Sequence, residues 1–268
     1  VAWAVGTSFL HFLATGRLSL MEKATAIVLR VVDWSETSAV VTLFTREFGL
    51  VRGLAKGARR PKGPFESALD VLSLCRVVFL RKSSGALDLL TEAKLLRRFR
   101  PGRDLSRLYG GYYIAELLVR LTHDYDPHPE LFDAAEATLS ALGDASEPTP
   151  SAVHVLRFEV TLLQLLGYLP QLEVCVECGT AVAPRDGRLA FGLLAGGVLC
   201  PRCRPGKRQV VALSAPAWQT LREWAQPDGA ARTIPDRKVG GELRSVMNHY
   251  INNLLGSRPR LQEYQSGF

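Results

Sequence analysis

Two short cysteine pairs carry the clearest chemistry in this chain. Cys175 and Cys178 stand in CVECG, and Cys200 and Cys203 in CPRC. Each CxxC offers two thiolates from one tight turn, and Gly179 gives the backbone freedom that closes the first knuckle. Twenty-one residues separate the pairs, room for a hairpin that brings both knuckles to one tetrahedral ion. Zn²⁺ is the expected metal. Four thiolates leave no open coordination position, so the predicted site is structural and not catalytic. Two disulfides or a redox pair are the alternative, which the length of the chain and the lack of a secretory pattern argue against. The fifth cysteine, Cys75, stands alone in an apolar run.

A second constellation is the segment AKGARRPKGPF, Ala55 to Phe65, which holds Lys56, Arg59, Arg60 and Lys62 and no acid. Its glycines and prolines exclude a helix and its charge excludes burial. Arg46, Arg52, Arg81 and Lys82 lie on the neighbouring strands, interleaved with Trp34, Phe44, Phe48, Phe65 and Phe79. Cations that follow phosphates and aromatics that stack on bases are what a single-strand binder requires. The competing assignment for the aromatics is a barrel core, and for Phe44 and Phe79 the core is preferred. The charge is also uneven. The chain carries a formal +7, and residues 21–103 hold sixteen Lys and Arg against eight Asp and Glu. Such a field favours polyanionic partners.

Other chemistry is absent or weak. HDYDPH, with His123, Asp124, Asp126 and His128, invites a nuclease metal site, but a polar connection between helices is sufficient. No phosphate-binding glycine loop, HExxH or GxSxG occurs. The chain therefore reads as a binding protein. Competing classes are an RNA-binding barrel protein, a scaffold whose basic loop receives an acidic tail, and a metal-dependent nuclease.

The elements that must position these residues follow from periodicity. Ala24–Val32, Ala39–Thr45, Leu50–Ala55, Leu69–Leu80 and Ala86–Leu96 read as five strands. On the third, Leu50, Arg52 and Leu54 share one face. A small closed barrel fits, of OB or SH3-like type. After Pro101-Gly102 the period changes to that of helices: Asp104–Thr122, with Leu105, Leu108, Tyr112, Ala115 and Val119 at helical spacing and further apolar positions widening that face, then Pro129–Leu142 and Ala152–Leu166. Pro216–Gln226, capped by Ser214, and Val239–Leu255 follow the cysteines. The first twenty residues have no cation before Arg17, and Met21-Glu22-Lys23 reads as a start. Residues 1–20 are thus expected to be an extension, with no membrane span, and the protein to be cytoplasmic.

Several segments resemble one known family. WSETS (Trp34–Ser38), FTREFGLVRGLAKGARR (Phe44–Arg60), LYGGYYIAELLVRL (Leu108–Leu121) and RFEVTLLQLLGYLPQLEVCVECG (Arg157–Gly179) resemble, in order and spacing, the RecO family of DNA repair and recombination mediators. The resemblance implies an α+β multidomain protein. It would comprise an extension (1–20), a five-stranded OB-fold DNA-binding barrel (21–100), a helical domain in two parts (101–170 and 209–268), and an inserted four-cysteine zinc ribbon-like module (171–208). It implies binding of single- and double-stranded DNA, strand annealing, and partnership with RecR. The family also engages the acidic C-terminal tail of the single-stranded-DNA-binding protein, so that RecA can load. No catalysis or nucleotide is implied, and the setting is the nucleoid. Family members that lack the cysteines exist; this chain keeps all four. Neither residues 1–20 nor the tail SRPRLQEYQSGF matches a recognised family segment. The DNA-binding set is expected to be Arg46, Arg52, Lys56, Arg59, Arg60, Lys62, Arg81 and Lys82. Neutralising four to six phosphates would give a salt slope of roughly −3 to −4. Trp34 is expected to cap the barrel, with Ser35 and Thr37 making local turn bonds.

Overall fold

A computed structural model describes residues 20–60, 63–65, 68–82, 87–144, 146–226 and 234–265. Five strands open the described chain: β1 Met21–Asp33, β2 Ala39–Thr45, β3 Gly49–Ala55, β4 Leu74–Leu80 and β5 Asp88–Arg97. Pairing runs β1-β2-β3-β5-β4 and returns to β1, an OB-like arrangement. All neighbours are antiparallel except β3 and β5, whose parallel seam is three residue pairs long (Gly53 with Asp88, Leu54 with Leu89, Ala55 with Leu90). Strand alternation explains the interior. Ala24, Ala26, Val28, Val41, Leu43, Val51, Val77, Phe79 and Leu90 point inward and form their own core. Phe65, from the segment after the basic loop, joins that core and is 1% exposed.

The outer face of the barrel is buried only at one end. Ile27, Leu29, Phe44, Leu50 and Leu74 pack into a second core that they share with the helices. Those helices are α1 Leu105–Leu121, α2 Pro129–Gly143 and α3 Ser151–Leu165, then α4 Ala215–Trp224 and α5 Arg237–Leu255. Local chemistry sets their starts: Asp104 accepts the Ser106 and Arg107 N–H groups, Ser214 that of Ala217, and Asp236 that of Val239. Of the face expected for α1, Ala115 is buried and Tyr112 and Val119 pack against the core, but its first position needs correction. Leu105 is exposed, and the buried positions are Gly110, Gly111, Tyr113, Ile114, Ala115, Leu117 and Leu118. The helix is covered by α2, α3 and a terminal 3-10 turn (Arg260–Gln265), so no single stripe describes it. At its centre Glu159 accepts from Tyr113 (2.7 Å) and from Arg244 (2.5 Å to each oxygen), a fully buried charge held by partners from α1 and α5.

Between α3 and α4 lies a small sheet of β6 Arg188–Gly192, β7 Gly197–Leu199 and β8 Val210–Ser214, ordered β7-β6-β8. No helix among the described residues is long and apolar enough to cross a membrane. Residues 1–19, expected to be an extension, lie outside the described residues. The tail is anchored: Tyr264 stacks on Tyr109 at 4.2 Å, and Glu116 accepts the N–H groups of Arg260 and Leu261.

Candidate metal centre and nucleic-acid interface

The antiparallel β6–β7 hairpin lies between the cysteine pairs and ends directly at Cys200. The first knuckle is closed by Gly179, at φ +70, whose N–H donates to the Cys175 carbonyl at 2.8 Å. In the second, the N–H groups of Cys203 and Arg204 both reach the Cys200 carbonyl. The four sulfurs all lie within 4.8 Å of one another. Cys178 and Cys200 Sγ are 3.7 Å apart, far longer than a disulfide at about 2.05 Å. That spacing is close to the edge of a tetrahedron with metal–sulfur bonds of about 2.3 Å. Proton affinities diverge in this crowd. Neighbouring Cys200 and Cys178 push Cys203 up to about 12, while the Thr180 hydroxyl, 3.3 Å away, helps lower Cys178 to about 6. The four cysteines could therefore hold one metal ion.

The predicted cations separate into two groups. Arg46, in the β2–β3 turn, makes a two-pronged contact with Asp133 of α2 at 2.8 and 2.9 Å. Its guanidinium holds the Asp133 carboxyl below the usual range. Arg52, on the outer face of β3, lies 3.5 Å from Asp124. Arg81 covers the ring of Tyr125 at 3.8 Å. Lys82 is exposed, and its backbone N–H donates to Asp88. The loop after β3 differs. Lys56 and Arg60 are exposed and face no carboxylate among the described residues. Arg59 reaches Asp33 at 3.0 Å, in a pair that is open to solvent on both sides. Lys62 lies outside the described residues.

HDYDPH turns out to be a clasp between helices and barrel. Tyr125 donates its N–H to the Leu50 carbonyl (3.0 Å) and its hydroxyl to Asp88, and it adopts φ +59. Asp126 pairs with His128 at 3.2 Å. Gly49, at φ +68, lets the clasp approach, since a Cβ there would stand 2.0 Å from the Asp126 carbonyl oxygen. No local sequence signal identified Asp124 and Asp133 as partners of Arg52 and Arg46. They are brought in by helices more than seventy residues downstream.

The aromatics also sort. Phe44 and Phe79 are buried as expected, but Phe65 is too, and Phe48 packs edge-on against Phe79 at 5.6 Å. Trp34 is 68% exposed and does not cap the barrel. Phe65 reaches that interior instead, because the loop after β3 folds back over it, as the 3.2 Å contact from the Ala93 N–H to the Pro64 carbonyl shows. The expected Ser35 turn bond is present, from the Ser38 N–H to the Ser35 hydroxyl.

Comparison with known proteins places this architecture. The N-terminal pattern of recombination protein O matches residues 20–99, and its C-terminal pattern residues 102–263, into the terminal 3-10 turn. The chain is 42% identical to the DNA repair protein RecO of Rhodopirellula baltica, over 89% of this chain and 97% of that one. It is 35% identical to the RecO of Anaeromyxobacter dehalogenans, over 88% and 92%. The RecO of Symbiobacterium thermophilum is 31% identical, over 87% and 90%. Joined to an OB-like barrel, a helical body and a four-cysteine module, these matches mean that the chain belongs to the RecO family of DNA repair proteins.

Proposed function

We propose that the protein is a non-enzymatic recombination mediator. It binds single- and double-stranded DNA, anneals complementary strands and, with RecR, helps RecA load onto DNA coated by the single-stranded-DNA-binding protein, whose acidic tail it engages. The observation that carries this reading is the loop after β3, where Lys56 and Arg60 face solvent without a carboxylate partner among the described residues. Free cations are available to phosphates, whereas a paired cation must first give up its partner. Lys56, Arg59, Arg60 and Lys62 form the proposed phosphate path; Arg81, over the Tyr125 ring, and exposed Lys82 are proposed to add to it from the end of β4. Arg46 and Arg52, whose acids come from α2 and from the connection before it, belong in this reading to the junction with the helices, whereas the acid facing Arg59, Asp33, lies on the barrel itself in a pair open to solvent.

Annealing then needs no covalent step. A cationic surface that holds two strands screens their repulsion and raises their local concentration. Zn²⁺ is the metal proposed for Cys175, Cys178, Cys200 and Cys203, where it would fix both knuckles and contribute to folding of the module. Metal analysis should return one zinc per chain, lost in Cys178→Ser. The proposed setting is the cytoplasm, at the nucleoid.

The deciding experiment is binding of a labelled single-stranded oligonucleotide across a salt series. With all four loop cations changed to alanine, the slope of log K against log salt should flatten by up to about 2.8, at about 0.7 per lost contact. An unchanged slope in a folded variant would reject the loop and move the surface to the exposed arginines of the metal module, Arg185, Arg188, Arg202 and Arg204.

A further inference from the structure

Of the five aromatics interleaved with the basic residues, Phe44, Phe65 and Phe79 are in the core and Phe48 packs against Phe79. Trp34 is the exception. At 68% it is the most exposed large apolar side chain among the described residues. A single exposed apolar residue is ordinary on a protein surface, but Trp34 stands on a braced support. The N–H groups of Trp34 and Ser35 both donate to the Ser38 carbonyl, at 3.0 and 3.2 Å, and the Ser38 N–H returns to the Ser35 hydroxyl at 3.2 Å. This turn is tied to the basic loop twice. The Arg59 N–H donates to the Thr37 carbonyl at 3.2 Å, and the Arg59 guanidinium meets Asp33, the residue before Trp34, at 3.0 Å. The indole thus stands on a turn fastened to Arg59, the neighbour of Arg60 in the basic loop, on backbone already held by hydrogen bonds. Little conformational entropy remains to be lost on binding.

We propose that Trp34 is a base-stacking platform that makes this surface selective for single-stranded DNA. One unstacked base lies on the indole while the loop cations hold the neighbouring phosphates. In a duplex the bases are stacked on one another and unavailable, so duplex binding uses the cations alone. This rests on the DNA-binding reading of the loop and adds to it a residue that distinguishes the two forms of DNA.

The test compares wild type, Trp34→Ala and Trp34→Phe on one oligonucleotide, single-stranded and as a duplex, across a salt series, with folding checked by circular dichroism. Trp34→Ala should weaken single-strand binding by about fivefold to 150-fold, the range for loss of one stacked base. Duplex affinity should change less than about twofold, and the salt slope should stay the same because no phosphate contact is lost. Trp34→Phe should keep most of the single-strand affinity. Single-strand affinity within twofold of wild type in Trp34→Ala overturns the platform while leaving the loop reading intact. Equal losses on both forms overturn the selectivity. A wild-type protein that binds neither form overturns both readings.

Discussion

The two ends of strand β3 carry the same kind of residue and use it differently. Just before the strand Arg46 grips Asp133, and at its middle Arg52 lies beside Asp124. Just past its other end Lys56 and Arg60 face no carboxylate among the described residues. The outer face of the strand shows the same gradient, from Leu50 buried beneath the helices, through half-exposed Arg52 and half-buried Leu54, to open Lys56. Arg46 and Arg52 at the root fasten the barrel to the helical body, Arg59 at the tip ties only one barrel loop to another, and Lys56 and Arg60 meet no carboxylate among the described residues. What separates them is whether the helical body reaches that far.

The strongest way to break this comparison is to remove the fastening. Gly49→Ala forces a left-handed backbone on a residue with a side chain and drives its Cβ into the Asp126 backbone. Strain and clash together should cost roughly 3–5 kcal/mol, a fall in Tm on the order of 10 °C for a chain of this size. Differential scanning calorimetry would show it. The interior of the barrel is a separate core, so DNA binding below the transition should keep its salt slope. A variant as stable as wild type would mean that the clasp does not hold the junction.

That junction is also where the sequence was least legible. Strand β2 and the start of α2 could be placed to the residue, because an apolar β-branched run between two turn segments and a proline at the first helical turn are local signals. The four-cysteine cluster was equally readable, since two CxxC units need only a hairpin between them to converge. The partners of Arg46 and Arg52 were not, because Asp133 and Asp124 become neighbours only when the helices pack on the barrel. Trp34 was misplaced as the cap of the barrel, and Phe65 left open between stacking and core, for a related reason. Both are apolar residues next to turns, and only the path of the loop after β3 decides which one reaches the interior. Alternation likewise shows which side of a strand is apolar, and helical spacing which side of a helix, but neither tells how many partners will cover it, as α1 illustrates.

A smaller perturbation sharpens the contrast between root and tip. Lys56→Ala with Arg60→Ala should flatten the single-strand salt slope by about 1.4 and leave Tm unchanged, since neither side chain holds the fold. Arg46→Ala with Arg52→Ala should do the reverse, lowering Tm measurably and leaving the slope alone. Equal flattening by both pairs would show that the root cations also meet phosphates, and that their carboxylates give way when DNA arrives.

The smallest expected effect is a pH dependence that only the root should show. Asp133 titrates below its ordinary 3.8, chiefly through its hydrogen bond with Arg46. A carboxyl lowered on folding stabilises the protein above its unfolded value, and that contribution is lost as pH falls through the folded one. Asp133→Asn should therefore lower Tm slightly at pH 7, and the difference from wild type should shrink below pH 4 as the native carboxyl also takes up a proton. Both partners are about half exposed, so the effect should also fade with added salt. Lys56 and Arg60 face no carboxylate among the described residues, so Lys56→Ala with Arg60→Ala should show the same Tm difference from wild type, near zero, at pH 7 and below pH 4. A root variant without pH dependence would mean that the two-pronged contact is not maintained in solution, and the distinction between the two ends of β3 would then rest on the clasp alone.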